Sequence, residues 1–261
     1  MDETTTATSR TDRRARATIV LLPTFNEAEN LPSMLRAIRE IVERSHVLVI
    51  DDGSPDGTGR IADEAAAVDA RIHVVQRGSR QGLGSAYRFG YRWALDRGYE
   101  RIAQMDCDFS HDPADLPRLL DGLRDHPVVV GSRRVPGGES VGWPWYRRLV
   151  SSAASSYARA ILGSPVRDLT SGFKAFRGPA LSRLPIESLQ SDGFVFQVEV
   201  TSLLLGLGVP VHELPIRFVD RRHGASKLSL RIVLEGLLRV WSVRRRLKNL
   251  ALSDSSGDRA D

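Results

Sequence analysis

The chain has 261 residues, 41% of them hydrophobic, with 37 basic against 32 acidic side chains and a net charge of +5. That length supports a sizeable core in one or two domains, and one cysteine, Cys107, excludes an internal disulfide and a multi-cysteine metal site while fitting a reducing compartment. No stretch reaches the roughly 18 uncharged apolar residues of a membrane-spanning helix, and the positive charge admits nucleic acid, an anionic membrane or phosphorylated ligands without choosing among them.

Met1 to Arg16 is polar, rich in Thr and Arg, and reads as a disordered basic tail rather than a signal peptide. Ala17 to Pro23 is a continuous apolar run, the pattern of a strand buried on both faces. Asn30 can cap the next helix, with Pro32 in its first turn and Leu31, Leu35, Ile38 and Val42 at helical spacing. His46 to Ile50 reads as a strand, Thr58 to Val68 as a helix, Ile72 to Val75 as a short strand and Gly82 to Asp96 as a helix. A strand then runs into Asp106, followed by a helix near Ala114 to Arg124 and the strand Val128 to Val130. Alternating strands and helices predict a parallel sheet with helices on both faces.

After Gly131 the pattern changes. Arg134 to Gly142 is a loop, Tyr146 to Leu162 a helix, and Asp168 to Arg177 a loop entering a short strand. Phe196 to Leu207 reads as a helix and Val209 to Val219 as an extended segment interrupted by Pro215. Asp220 to Lys227 is a basic loop, Leu228 to Leu250 a last helix, and residues 251–261 a polar tail. Leu230, Leu234, Leu237 and Trp241 give that last helix an apolar face, and Arg244, Arg245, Arg246 and Lys248 give it a basic end suited to an anionic bilayer.

Chemistry concentrates where strands end. Asp106 and Asp108 are two apart, so on an extended chain they face one way, at the C-terminal edge where open α/β sheets bind ligands. Two such carboxylates suit a hard cation, Mg²⁺ or Mn²⁺, with phosphate oxygens completing its shell; taken alone, the pair is a common motif that reads sooner as a solvated acidic turn capping the following helix. The first strand ends Pro23-Thr24-Phe25-Asn26-Glu27 and not in a dinucleotide glycine fingerprint. Phe25 can stack on a base and Glu27 can accept from it, or the segment is only a capped loop. The second strand ends Asp51-Asp52-Gly53-Ser54, either a tight turn or a ribose or base contact through Asp52. Glu27, Asp52, Asp106 and Asp108 would converge on one rim.

Seven segments then carry a resemblance in order: Pro23 to Glu27, Val49 to Thr58, Gly82 to Tyr87, Met105 to Pro113, Gly131 to Arg133, Asp168 to Phe173 and Asp220 to Lys227. Together they resemble the family-2 glycosyltransferases of GT-A fold, and more narrowly the polyprenol (dolichol) phosphate mannosyltransferases. The resemblance implies a Rossmann-like, mostly parallel α/β domain over residues 17–227 with a C-terminal amphipathic helix at 228–250. It implies that Pro23, Phe25, Glu27, Ile50 and Asp52 hold the donor nucleoside, with Cys107 beside them in the metal motif. Asp106 and Asp108 would bind the metal, with Ser110 where some relatives place a further ligand. Arg133, Arg221 and Lys227 would neutralise donor phosphates, and Arg147 and Ser151 would meet the acceptor phosphate. The implied reaction is inverting transfer of mannose from GDP-mannose to a polyprenyl phosphate.

The implied partners are GDP-mannose, a polyprenyl phosphate lipid and the cytoplasmic face of the membrane, touched peripherally, with room for a separate membrane-spanning partner. Rivals are a UDP-glucose donor within the same fold, and a non-catalytic nucleotide-binding subunit. Nucleic acid is disfavoured, because aromatics are not interleaved along a basic face.

Overall fold

The computed structural model describes residues 18–220, 236 and 238–249. Its centre is a seven-stranded sheet in the order β3-β2-β1-β4-β7-β5-β8. The strands are β1 (Thr18–Thr24), β2 (His46–Asp51), β3 (Ile72–Gln76), β4 (Arg101–Gln104), β5 (Val128–Ser132), β7 (Lys174–Arg177) and β8 (Val211–Pro215). The connecting helices are α1 (Leu31–Ile41), α2 (Thr58–Val68), α3 (Leu83–Asp96), α4 (Leu116–Gly122), α5 (Trp145–Leu162) and α6 (Gly193–Gly206). A small second sheet pairs β6 (Glu139–Val141) with β9 (Arg217–Val219) in parallel.

The apolar run of β1 is buried on both faces, as its sequence requires. Ile19 and Leu21 pack with Leu48, Ile50, Tyr87 and Phe196 on one side. Val20 and Leu22 pack with Val47, Val49, Met34 and Leu116 on the other. Helix α3 can lie close because Gly90 faces the sheet: a Cβ there would sit 2.8 Å from Ile50 Cδ1. Strand β1 pairs in parallel with β2 and β4, and β2 with β3, so their C-terminal ends share one rim.

The sheet is mostly parallel as expected, and the local readings are refined in three places. The one antiparallel strand of the main sheet is β7, between β4 and β5. It is entered from the 168–173 loop on the rim, so it must run back down the sheet. The extended segment at Val209 to Val219 is two strands, one in each sheet, because the chain leaves the main sheet after Pro215. Asn30 stands at the N-cap of α1 with helical backbone angles and makes no side-chain cap bond; its amide donates to Glu27 Oε2 at 2.8 Å instead.

Gly236 and residues 238–249 are helical. Val240 packs with Ala158, Val166, Leu169 and Val198, while Leu247 packs against the larger core. Arg246 is not part of a free basic end. It pairs with the buried carboxylate of Glu199 and donates to the Ser188 carbonyl.

Candidate active site

The turns after β1 and β2 are laced together. The backbone N–H groups of Asn26, Glu27 and Ala28 donate to Ser54 Oγ, Thr58 Oγ1 and Asp56 Oδ2 at 2.9–3.0 Å. Asn26 adopts a positive φ of 60°, a conformation that asparagine tolerates better than most residues. This turn places Phe25 and Glu27 on the wall of a cleft of about 870 Å³.

Asp52 lines the same cleft, but its carboxylate is already committed. It is ion-paired with Arg77, and its Oδ2 accepts the N–H groups of Gln81 and Gly82 at 3.2 and 3.0 Å. Asp52 therefore fixes the 77–82 loop, which carries Arg80 over the face of Phe25 at 4.6 Å. Such a cation–π contact at a partly exposed ring contributes about 0.5–1 kcal/mol. Gly82 is required here: its φ is +92°, and a Cβ would meet the Asp192 carboxylate.

After β4 the chain gives Asp106, Cys107 and Asp108, all on the cleft wall. The Asp106 N–H donates to Nδ1 of His111 at 3.2 Å, and the Tyr87 hydroxyl lies 3.5 Å from Asp106 Oδ1. His111 is fully buried, packed on Phe173 and Phe218, and burial pushes its pKa down. A neutral imidazole whose Nδ1 accepts from backbone holds the aspartate rather than serving as a base. Asp108 Oδ1 accepts from both the N–H and the hydroxyl of Ser110, at 3.0 and 2.5 Å. Cys107 turns away into the core with Val20 and Met105, where burial pushes its thiol pKa up.

Two expected site residues lie off the cleft surface. Ile50 is wholly buried in the core against Leu21 and Tyr87, because alternation on β2 turns it inward while Asp51 and Asp52 form the turn. Ser110 is buried and bound to Asp108, so it orients that carboxylate. Arg221 and Lys227 fall outside the described residues.

The opposite wall is basic. Arg133, at the end of β5, is clamped by Asp168: its Nε and Nη2 donate to the two carboxylate oxygens at 2.7 Å each, and its backbone N–H adds a third bond. Arg133 Nη2 also donates to Thr170 Oγ1, and its guanidinium lies 5.0 Å from the Phe218 ring centroid. Burial works to raise the Asp168 pKa, yet Arg133 and Arg134 hold it well below the usual carboxylate range. Farther along, Arg147 and Ser151 sit one helical turn apart on α5 and both line the cleft. Arg147 pairs with Asp220 at 3.2 Å and lies over Trp143, while Arg134 donates to the Ser151 carbonyl and hydroxyl at 2.6 and 2.9 Å.

Beneath the aspartates runs a buried polar chain. Tyr91 donates to Gln104 Oε1; Gln104 Nε2 donates to the Gly172 carbonyl and to Gln197 Oε1, both at 2.9 Å. Lys174 Nζ donates to Gln197 Oε1 and its carbonyl at 2.7 and 3.1 Å. Burial lowers the Lys174 pKa to about 7. The chain ties β4, just before Asp106, to α6 and to the 168–173 loop. Sequence reading missed Asp168, Arg80, Arg134 and Lys174 as parts of this site. Asp168 and Lys174 stand in or beside a segment that carried the resemblance, and Arg80 immediately precedes one; their partners are distant in sequence.

The donor atoms fit a divalent cation of the hard class: oxygen-only carboxylates, two apart, on a rim facing arginines. Among the described residues no cluster of three or more His, Cys, Asp or Glu exists to enclose a metal. Asp106 and Asp108 would therefore share a cation with ligand phosphate and water.

A cleft at the carboxyl ends of a mostly parallel sheet, lined by paired aspartates and by half-buried arginines, is where an open α/β sheet binds its ligand, and the fold is of the GT-A class. The chain belongs to glycosyl transferase family 2, whose profile matches residues 19–184. It is 45% identical over 234 residues to the undecaprenyl-phosphate mannosyltransferase of Micrococcus luteus, covering 89% of this chain and 96% of that one. It is 42% identical over 241 residues to the polyprenol monophosphomannose synthase of Mycolicibacterium smegmatis, covering 91% of each. Its fold is similar to glucosyl-3-phosphoglycerate synthase from Mycobacterium tuberculosis in complex with Mn²⁺, UDP and glucosyl-3-phosphoglycerate, at a TM-score of 0.61 and 21% identity over 91% of this chain and 81% of that one. A mannosyltransferase from Pyrobaculum calidifontis in complex with GDP-Man and Mn²⁺ aligns at 0.54 and 17% identity, over 92% and 75%.

Proposed function

We propose that the protein transfers mannose from GDP-mannose to a polyprenyl phosphate, with inversion at the anomeric carbon, giving polyprenyl phosphate β-mannose. The observation that carries this reading is the likeness above 40% to two polyprenyl-phosphate mannose transferases over nearly the whole of each chain. The mannosyl group and lipid acceptor rest on those relatives. The guanosine diphosphate carrier rests on the motif resemblance.

An acceptor phosphate is already ionised at neutral pH. Its oxygen forms the bond to the anomeric carbon as the bond to the diphosphate oxygen breaks, and no proton need be removed. That agrees with a site in which His111 is neutral and engaged by backbone. The work left to the protein is positioning and stabilisation of charge on the leaving diphosphate. A divalent cation, Mg²⁺ or Mn²⁺, held by Asp106 and Asp108 would supply that neutralisation from one side. Arg133, held by Asp168 and unable to swing away, supplies it from the other. Phe25 and Arg80 would hold the base, and Asp52 keeps the 77–82 loop that carries Arg80 in place. Arg147 and Ser151 would receive the acceptor phosphate. Arg221 and Lys227 are assigned to donor phosphates on their motif alone.

No helix among the described residues is long and apolar enough to cross a membrane. A peripheral enzyme on the cytoplasmic face fits the supply of a soluble nucleotide sugar and a lipid acceptor. The test is transfer of labelled sugar into a butanol-extractable lipid, with GDP-mannose and UDP-glucose compared at equal concentration with metal present. GDP-mannose alone should give labelled lipid. Preference for UDP-glucose would replace the donor assignment, and no lipid product from either would overturn the reading.

A further inference from the structure

The small second sheet brings one side chain to the centre of the basic wall. Strands β6 and β9 set Val141 beside Val219, and Trp143 follows just after β6. Its ring meets Phe218 of β9 edge-on, with centroids 5.4 Å apart. Trp143 lines the cleft and is only 9% exposed. Two guanidinium groups lie over its ring, Arg147 at 4.2 Å from the centroid and Arg133 at 5.8 Å. Each arginine has a carboxylate of its own, Asp220 for Arg147 and Asp168 for Arg133. The indole is the group that they have in common. Stability does not account for a tryptophan here. Its Nε1 is buried and has no hydrogen-bond partner among the described residues. A buried donor without a partner destabilises a fold, and phenylalanine carries no such donor. What the indole adds is the aromatic face that holds a cation best.

We propose that Trp143 is a positioning residue, which sets the spacing between Arg133 and Arg147 and so aligns the two phosphate groups of the reaction. This rests on the transferase reading above, in which Arg133 faces the leaving diphosphate and Arg147 the acceptor phosphate. The new bond forms in line with the one that breaks, so the two phosphates sit on opposite sides of one carbon, and a small error in their separation is costly. Arginine side chains are long, and each ion pair fixes only its own guanidinium. A rigid ring against both ties them to one plane. That ring is itself held at both ends. The small sheet fixes the chain before it, where the Asp220 N–H donates to the Val141 carbonyl at 3.0 Å. Helix α5 fixes the chain after it: Arg148 Nε donates to the Trp143 carbonyl at 3.2 Å, and the N–H groups of Arg147 and Arg148 donate to the Pro144 carbonyl.

The test compares Trp143→Leu, which removes the ring, with Trp143→Phe, which keeps a ring face and removes the N–H. Both are made in the full chain. Calorimetry gives the affinity for farnesyl phosphate, a short acceptor, and for GDP with Mg²⁺; kcat and melting temperature are measured beside them. The Leu variant should bind farnesyl phosphate about tenfold more weakly and turn over about thirtyfold more slowly. Its GDP affinity should stay within about threefold, since Asp168 still holds Arg133. The Phe variant should recover both losses to within about threefold, which a need for the N–H or for mere bulk does not predict. If the Leu variant melts below the assay temperature, Trp143→Met takes its place under the same rule. Wild-type kcat and acceptor affinity in the ringless variant overturn the proposal, and so does a Phe variant that falls as far as Leu. A wild type that binds farnesyl phosphate yet transfers no sugar sinks the transferase reading. The spacing role is then judged on binding alone, and equal affinity in the ringless variant overturns it.

Discussion

Asp168→Asn isolates the clamp on Arg133. The substitution keeps the shape and removes the charge. Asp168 has no exposed surface, and its two oxygens accept three bonds from Arg133 and one from Thr170, with Arg134 at 3.8 Å. An asparagine amide turns a donor toward guanidinium donors and leaves a buried cation without its counter-charge. Breaking a buried pair from one side costs about 3–5 kcal/mol. For a chain of this size each kcal/mol shifts the melting temperature by about 2–4 °C, so a fall on the order of 10 °C is expected. The sign with pH is fixed. Asp168 has a depressed folded pKa, so its contribution is fully present above the ordinary carboxylate value near 3.8 and is lost as pH falls toward the folded value. The gap between the two proteins should be constant from pH 5 to 8 and narrow below about pH 4. Calorimetric melting across that range, with transfer rates measured at 20 °C below each melting point, provides the check. A fall under 2 °C, or full transfer activity with a displaced clamp, would refute this account of Arg133.

Three further outcomes follow from particular contacts. Asp108→Ala should abolish measurable transfer and the metal dependence of nucleotide binding, while loss of its turn bonds to Ser110 costs only about 1 kcal/mol in urea unfolding. Lys174 has a folded pKa near 7 against 10.5 as its ordinary value, so the unfolded chain binds more protons between those limits and stability rises with pH there. Its share is about 2 kcal/mol between pH 7 and 9, and Lys174→Met should remove that rise from the urea midpoints; equal slopes would contradict it. Gly90→Ala drives a methyl to within 2.8 Å of Ile50 Cδ1 and should cost about 1–3 kcal/mol without altering the donor affinity of the folded protein.

The sheet was legible because its strands announce themselves: the four apolar residues of β1 are buried on both faces, and the acidic turns fall at strand ends. Glu27, Asp52, Asp106 and Asp108 do line one cleft, which their positions after β1, β2 and β4 implied. What could not be read is what each side chain faces. Ile50 is next to two acids in sequence, yet pleating points it into the core. Ser110 follows Asp108 by two and folds back on it. The clamp on Arg133 joins residues 35 apart, and Lys174 reaches Gln197 across 23 residues. Those partners are set by the antiparallel return of β7 and the buried face of α6, which no local pattern encodes. The anchoring of Arg246 is likewise tertiary, since a run of arginines looks the same whether it meets solvent, lipid or a buried glutamate.

The most direct measurement is mass spectrometry of the lipid formed by the full chain with polyprenyl phosphate, GDP-mannose and Mg²⁺, with GDP quantified alongside. The account predicts a polyprenyl phosphate carrying one hexose, β-linked and released as mannose by mild acid, with one GDP per lipid product. GDP released with free mannose and no mannosylated lipid, or an α-linked product, would contradict it.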